Sequence, residues 1–112
     1  MGSPITTHIL DTSTGSPAAG VPVRLDRLDG DWRTLAEGRT NADGRVADLL
    51  EPGSLSPGTY RIYFDTGAYW EACGSQGFYP YVEVVFTVER GDQHYHVPLL
   101  LNPYGYSTYR GS

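Results

Sequence analysis

The sequence predicts an all-β protein, and three observations point to that class. Apolar and polar residues alternate with a period of two along most of the chain, as in strands that bury one face. Fourteen glycines and eight prolines supply frequent turn positions, and nine tyrosines favour the pleated, half-buried surface of a sheet. The 112 residues suffice for one hydrophobic core, so we expect a single domain over residues 1–112.

The N-terminal half is predicted to contain three strands, two tight turns and a loop. The strands cover residues 5–10, 21–26 and 32–40, and the loop covers residues 49–57. Asp29-Gly30 is a strong hairpin signal between the second and third strands. A second turn runs from Asn41 to Gly44 and places Arg45 at the start of the next extended segment.

The C-terminal half adds four strands and the only predicted helix. The strands cover residues 60–64, 82–88, 94–101 and 104–110. The helix is expected over Thr66–Ala72, with Asp65 or Thr66 as its N-cap and Gly74 as its stop. Seven or eight short strands with one short helix predict two packed antiparallel sheets, a β-sandwich.

Charge and composition exclude several classes of function. A formal net charge of −5 argues against a nucleic-acid binder, although a few converging arginines can still bind a small anion. No apolar stretch is long enough to span a membrane, and no secretory signal is recognisable, so we expect a cytoplasmic protein. Cys73 is the only cysteine, which excludes an intramolecular disulfide and a cysteine-based metal cage.

All three histidines fall on strand faces turned away from the predicted core. In the strand over residues 94–101, Tyr95 and Val97 belong to the apolar set, so His94 and His96 share the opposite face. His8 is placed in the same way in the first strand. One outward histidine is ordinarily a solvated residue, but three of three on such faces suggest a site.

A metal centre and a covalent nucleophile are the first alternatives for these residues. His94 and His96 can chelate zinc with His8 as a third ligand, but no Cys, Asp or Glu stands at a recognisable ligand spacing. We therefore favour a site without metal or cofactor. The chain has no Gly-x-Ser-x-Gly elbow, and Cys73 lacks an adjacent base, which makes it an inert residue near the helix.

Several stretches, spread from end to end of the chain, resemble the hydroxyisourate hydrolases, the enzymatic branch of the transthyretin-like proteins. These stretches are THILDT at 7–12 with Gly15 and PA at 17–18, TN at 40–41 with DGR at 43–45, FYP at 78–80, HYHVPLLL at 94–101 and STYRGS at 107–112. The terminal Tyr-Arg-Gly-Ser is the most specific, because it marks the enzymes and is absent from hormone-carrying transthyretins.

The resemblance implies a fold, an assembly and an activity. It implies a transthyretin-type (prealbumin-like) sandwich that forms a homotetramer, with active sites in the channel between dimers. The implied reaction is the hydrolysis, in urate degradation, of 5-hydroxyisourate to 2-oxo-4-hydroxy-4-carboxy-5-ureidoimidazoline. The alternative is a transthyretin-like protein that binds a small ligand without catalysis.

The resemblance also implies roles for individual residues. It assigns catalysis to His8, Arg45 and His96, and a structural role to His94 as a buried, hydrogen-bonded histidine. The residues implied to bind substrate are His8, Arg45, Tyr109, Arg110 and Ser112.

These residue types suit the opening of a cyclic amide. Imidazole can take up and return a proton near neutral pH, so His8 or His96 can be the general base, and the sequence leaves open which one. Arg45 stays charged and can hold a carbonyl oxygen or an anionic ring by two parallel hydrogen bonds. Tyr109 can stack on or hydrogen-bond a flat purine-derived ring.

Overall fold

Nine strands and one short helix make up the fold in a computed structural model that describes residues 2–111. The strands are β1 (Ile5–Asp11), β2 (Ser16–Pro17), β3 (Pro22–Asp29), β4 (Asp31–Arg39), β5 (Arg45–Val46), β6 (Gly58–Phe64), β7 (Val82–Val88), β8 (Tyr95–Asn102) and β9 (Gly105–Thr108). The helix is α1 (Thr66–Ala72). Two of the strands have only two residues, so the seven longer ones match the predicted number.

The strands form two sheets, which confirms the predicted all-β sandwich. One sheet has the order β2-β1-β8-β9, with β5 also paired to β1, and the other has the order β4-β3-β6-β7. One pair differs from the antiparallel expectation, because β1 and β8 run parallel. The other sheet lies between them in the sequence and provides the long crossover that a parallel pair requires. Period-two alternation carries no information about strand direction.

The core lies between the sheets and is built from alternate residues of each strand. In β1, Ile5 and Ile9 are fully buried, and Thr7 between them donates its hydroxyl to the Val97 carbonyl at 2.6 Å. The other large, fully buried core side chains are Leu25, Tyr60, Ile62, Phe64, Leu99, Leu101, Val21, Val82 and Val88. This parity leaves the even-numbered residues of β1 and β8 on the outer face of their sheet.

Helix α1 buries Trp70 in the core and is hydrogen-bonded through Tyr69 to the end of β1. Asp65 is its N-cap and accepts a hydrogen bond from the Ala68 amide at 3.1 Å. Tyr69 donates its hydroxyl to the buried Asp11 carboxylate at 2.7 Å. Burial alone would raise the pKa of Asp11, but hydrogen bonds from Ser13 and Tyr69 outweigh burial and lower it. With seven residues, α1 is the longest helix described and is too short to cross a membrane.

The outer face of the four-stranded sheet carries a paired charge network. Asp26 is only 1% exposed, next to a bulge in the β3–β4 ladder. Its carboxylate accepts from Arg24 Nε at 3.0 Å, from Arg61 Nη2 at 2.8 Å and from the Thr34 hydroxyl at 3.0 Å. Arg61 also lies 3.4 Å from Glu83, so two cations are matched by two anions on this face.

Candidate functional site

Strand β1 is the centre of the candidate site, because it pairs with both other strands that supply site residues. In the antiparallel ladder with β5, His8 lies directly opposite Arg45. In the parallel ladder with β8, Thr6 lies opposite His96. Thr6 and His8 are two residues apart and share the outer face of β1. The structure thus brings together His8, Arg45 and His96, the three predicted catalytic residues.

The turn before β5 fixes the position of Arg45. The Asn41 side chain accepts hydrogen bonds from the amides of Asp43 at 2.9 Å and Arg45 at 3.1 Å. Gly44 has a φ of +74°, and a Cβ at this position would come within 2.5 Å of the Ile9 carbonyl oxygen. The predicted turn is present. It requires glycine at position 44, because any side chain would meet both the positive φ and the close contact with the Ile9 carbonyl.

A threonine hydroxyl connects the two histidines of β8. Thr6 Oγ1 lies 3.0 Å from His94 Nε2 and 2.8 Å from His96 Nδ1. The two imidazoles are nearly parallel, with 6.4 Å between their centroids and 19° between their planes. The predicted outward face is correct for both rings. His94 is exposed in this chain, however, and the expectation that its ring is buried is not met, because the face that carries it is uncovered.

The C-terminal segment lies against His96. The Gly111 amide donates to the His96 carbonyl at 2.8 Å, which continues the β8–β9 register beyond β9. A Cβ at Gly111 would come within 2.6 Å of His96 Cδ2, so only glycine lets the backbone approach the ring this closely.

The predicted substrate-binding residues of this segment separate onto different faces. By the β8–β9 register, Tyr109 lies opposite Pro98 on the histidine face, and its side chain is 58% exposed. The Arg110 guanidinium lies 4.5 Å over the buried Tyr95 ring and donates to Gln93 at 3.2 Å, on the other face of the sheet. Neighbouring strand residues point to opposite faces, so Arg110 does not join the histidine group. Ser112 lies outside the described residues.

Partial burial and the positive charge of Arg45 lower the pKa of two histidines at the site, His8 and His96. Partial burial and the adjacent Arg45 charge lower the pKa of His8, against a smaller opposing effect of Asp43. Partial burial lowers the pKa of His96 too, with further contributions from Arg45, His94 and His8. Both rings are therefore unprotonated at neutral pH and can accept a proton. Five ion pairs occur among residues 2–111, and none includes the exposed Arg45.

Sequence reasoning missed Thr6, although the signal was available. The alternation that places His8 on the outer face also places Thr6 there. A hydroxyl does not titrate near neutral pH, so it does not stand out in a search for acids and bases. Within residues 2–111, no group of three or more His, Cys, Asp or Glu side chains is arranged to hold a metal ion.

Comparison with known proteins identifies the family. A model described as the HIUase/Transthyretin family matches residues 5–111. The chain belongs to this family. A 5-hydroxyisourate hydrolase of Mus musculus is 53% identical over 113 residues, which cover 98% of this chain and 96% of that protein.

Solved structures similar to this chain include a hydrolase and a thyroxine complex. The 5-hydroxyisourate hydrolase of Klebsiella pneumoniae matches with a TM-score of 0.85 and 42% identity, covering 96% of this chain and 97% of that one. Sea bream transthyretin in complex with thyroxine matches with a TM-score of 0.91 and 38% identity, covering 97% and 95%. Since one fold supports both, site residues must decide the function.

Proposed function

We propose that this chain hydrolyses 5-hydroxyisourate to 2-oxo-4-hydroxy-4-carboxy-5-ureidoimidazoline in urate degradation, with residues 1–112 acting as one hydrolase domain. The observation that carries the proposal is the convergence of His8, Arg45 and His96 on one sheet face, where Arg45 has no ion-pair partner among residues 2–111. Identity of 53% to a mouse protein named as this hydrolase supports it.

The arrangement supports each part of a hydrolysis. A neutral imidazole of His8 or His96 accepts a proton from water, and the water oxygen bonds to the ring carbonyl carbon. Arg45 stabilises the negative charge that develops on the carbonyl oxygen, an effect worth about 3 kcal/mol for a well-placed donor. The ring C–N bond then breaks, and the protonated imidazole returns its proton to the leaving nitrogen. No metal or cofactor takes part in the proposed reaction.

The C-terminal segment divides into substrate-binding and supporting parts. Tyr109 stands on the histidine face and is proposed to contact the flat substrate ring. Arg110 supports the segment from the opposite face through Tyr95 and Gln93. Substrate binding by Ser112 stays a prediction of the sequence.

A homotetramer with its active sites between dimers is proposed as the working form. The histidine face of the single chain is open, and a second copy over it would exclude water from the reaction. Strands β7 and β9 are sheet edges, and Val85 and Tyr109 expose 57% and 58% of their surface beside them. Sedimentation measurements test the tetramer, and cell fractionation tests the predicted cytoplasmic location.

A direct assay tests the proposed activity. Urate and urate oxidase generate 5-hydroxyisourate, whose absorbance decays spontaneously. Adding the protein is expected to accelerate that decay in proportion to its concentration. If the protein binds thyroxine or other aromatic anions and leaves the decay unchanged, the non-catalytic function favoured by the transthyretin match is correct instead.

A further inference from the structure

We propose that Thr6 is a positioning residue that fixes the tautomer of His96 and makes it depend on the protonation of His94. The inference rests on the proposed function, in which His96 exchanges a proton with the reacting groups. Its basis is geometric: one hydroxyl lies within hydrogen-bond distance of Nε2 of one ring and Nδ1 of the other.

Counting hydrogens shows why the two rings are coupled. The Thr6 hydroxyl has one hydrogen to donate, and its two bonded neighbours among the described residues are the rings of His94 and His96. If the hydroxyl donates to the facing nitrogen of one histidine, the facing nitrogen of the other histidine must carry a hydrogen to form its own bond. A proton change on one ring therefore determines which nitrogen of the other ring is protonated.

The proposed role of His96 as a proton acceptor selects one of the two arrangements. Nδ1 is the His96 nitrogen that faces Thr6. A free lone pair on the opposite nitrogen, Nε2, therefore requires the hydrogen on Nδ1, which donates it to the hydroxyl. The hydroxyl in turn donates to His94 Nε2, and His96 Nε2 keeps the lone pair that a general base needs.

Protonation of His94 reverses this arrangement. His94 Nε2 then carries a hydrogen and must donate to the Thr6 hydroxyl, which turns its own hydrogen toward His96 Nδ1. The His96 hydrogen moves to Nε2, where it blocks proton uptake from the substrate side. The other charged or titratable groups around the pair are His8, Asp43, Arg45 and Asp92, of which Asp92 is paired with Arg90 at 2.7 Å.

Nitrogen NMR of the three histidine rings tests the tautomer without any substrate. The sequence contains three histidines, so each ring can be assigned from single substitutions. In the wild-type protein and in Thr6→Ser near pH 7.5, His96 is expected as the Nδ1–H tautomer. In Thr6→Val, which keeps the shape but has no hydroxyl, His96 is expected to shift toward the Nε2–H form. An unchanged His96 tautomer in Thr6→Val would overturn the proposal.

The pH dependence of hydrolysis tests the link to His94. In the proposed coupling, protonation of either His94 or His96 removes the base. Log kcat/KM of the wild type should therefore fall more steeply at acid pH than log kcat/KM of a variant whose residue 94 cannot be protonated. In His94→Gln, whose amide does not take up a proton in this pH range, the slope is expected to decrease by one proton. Thr6→Ser should keep the wild-type slope.

The two proposals fail in distinguishable ways. If log kcat/KM falls with the same slope at acid pH in the wild type and in His94→Gln, the coupling is contradicted, but the proposed hydrolase function is not. A wild-type protein that never accelerates 5-hydroxyisourate decay contradicts the proposed function, while the tautomer result remains interpretable. Titration of His8 contributes equally to wild type and His94→Gln, so it cancels in the comparison.

Discussion

The outer faces of the two sheets both carry arginines, but two are paired with a carboxylate on one sheet, whereas Arg45 on the other is unpaired in the described part of the chain. On the four-stranded sheet, Arg24 and Arg61 are held by Asp26, which is 1% exposed. On the five-stranded sheet, Arg45 stands beside His8 and His96 without an ion-pair partner among residues 2–111.

The difference separates a structural use of charge from a functional one. Arginines that are already paired with carboxylates have little capacity to bind a ligand. An unpaired guanidinium beside neutral imidazoles can bind an anion, and the imidazoles can exchange protons with it. Substitutions on the paired face should therefore change stability, and substitutions on the histidine face should change chemistry.

The largest effect is expected from His96→Ala. Removing a positioned acid–base group should lower kcat/KM for 5-hydroxyisourate by about 10²- to 10⁴-fold. The ring is only partly buried on the outer face, so the melting temperature should change little. Steady-state kinetics and thermal unfolding measure the two quantities. Near-wild-type turnover would show that His96 is not part of the chemistry.

A smaller loss is expected from Gly111→Ala, because its new methyl group would overlap His96 and displace the ring or the C-terminal segment. We expect kcat/KM to fall by roughly 10- to 100-fold, since small misplacements of catalytic groups cost about that much. Gly105→Ala is the matched control, because a Cβ there meets only the Asn102 side chain, at 3.7 Å. Equal activity in the two variants would contradict close packing of Gly111 on His96.

Asp26→Asn should affect stability and leave kcat/KM per folded molecule unchanged. Removing one partner of a buried ion pair typically costs about 3 to 5 kcal/mol, and partial exposure of Arg24 and Arg61 places this case near the lower value. Urea denaturation measures the loss. A wild-type free energy of unfolding would show that the network does not stabilise the fold.

The same carboxylate gives a pH dependence with a defined sign. Burial alone would raise the pKa of Asp26, but hydrogen bonds from Arg24, Arg61 and Thr34 lower it below its ordinary value of 3.8. The stabilisation is fully present above 3.8 and is lost as pH falls from there through the folded-state pKa. In Asp26→Asn, the free energy of unfolding should depend less on pH in that acidic range.

The smallest effect is a shift in the titration of His96. Burial and the Arg45 charge both lower the pKa of His96, so Arg45→Gln should move it upward toward the ordinary value of 6.5. NMR titration of the ring hydrogens measures the shift directly. Arg24→Gln removes an equal charge from the other sheet and should leave the pKa of His96 unchanged. A shift of the same size in both variants would exclude a local effect of Arg45.

Much of this contrast could be predicted from local sequence patterns. Alternation placed His8 and His96 on outer faces, and the turn from Asn41 to Gly44 placed Arg45 correctly, because both signals act over a few residues. Alternation also implies that Tyr109 and Arg110 point to opposite faces, and the structure follows that rule. The resemblance had assigned both to substrate binding, and for Arg110, which lies over Tyr95, that role stays a prediction.

The remaining features depend on contacts between distant parts of the chain. Asp26 and Arg61 are 35 residues apart and meet only through the β3–β6 register, which no local pattern encodes. The parallel pairing of β1 with β8 brings Thr6 to His94 and His96, and period-two alternation is the same for either strand direction.

Parallel assays of Arg45→Gln and Arg24→Gln test the central claim most directly. Each variant removes one guanidinium from the outer face of one sheet. The unmatched cation is expected to be the functional one, so Arg45→Gln should lose about 100-fold in kcat/KM with 5-hydroxyisourate and keep its stability. Arg24→Gln should keep wild-type kcat/KM and lose stability. Equal activity in the two variants, or a loss confined to Arg24→Gln, would contradict the account.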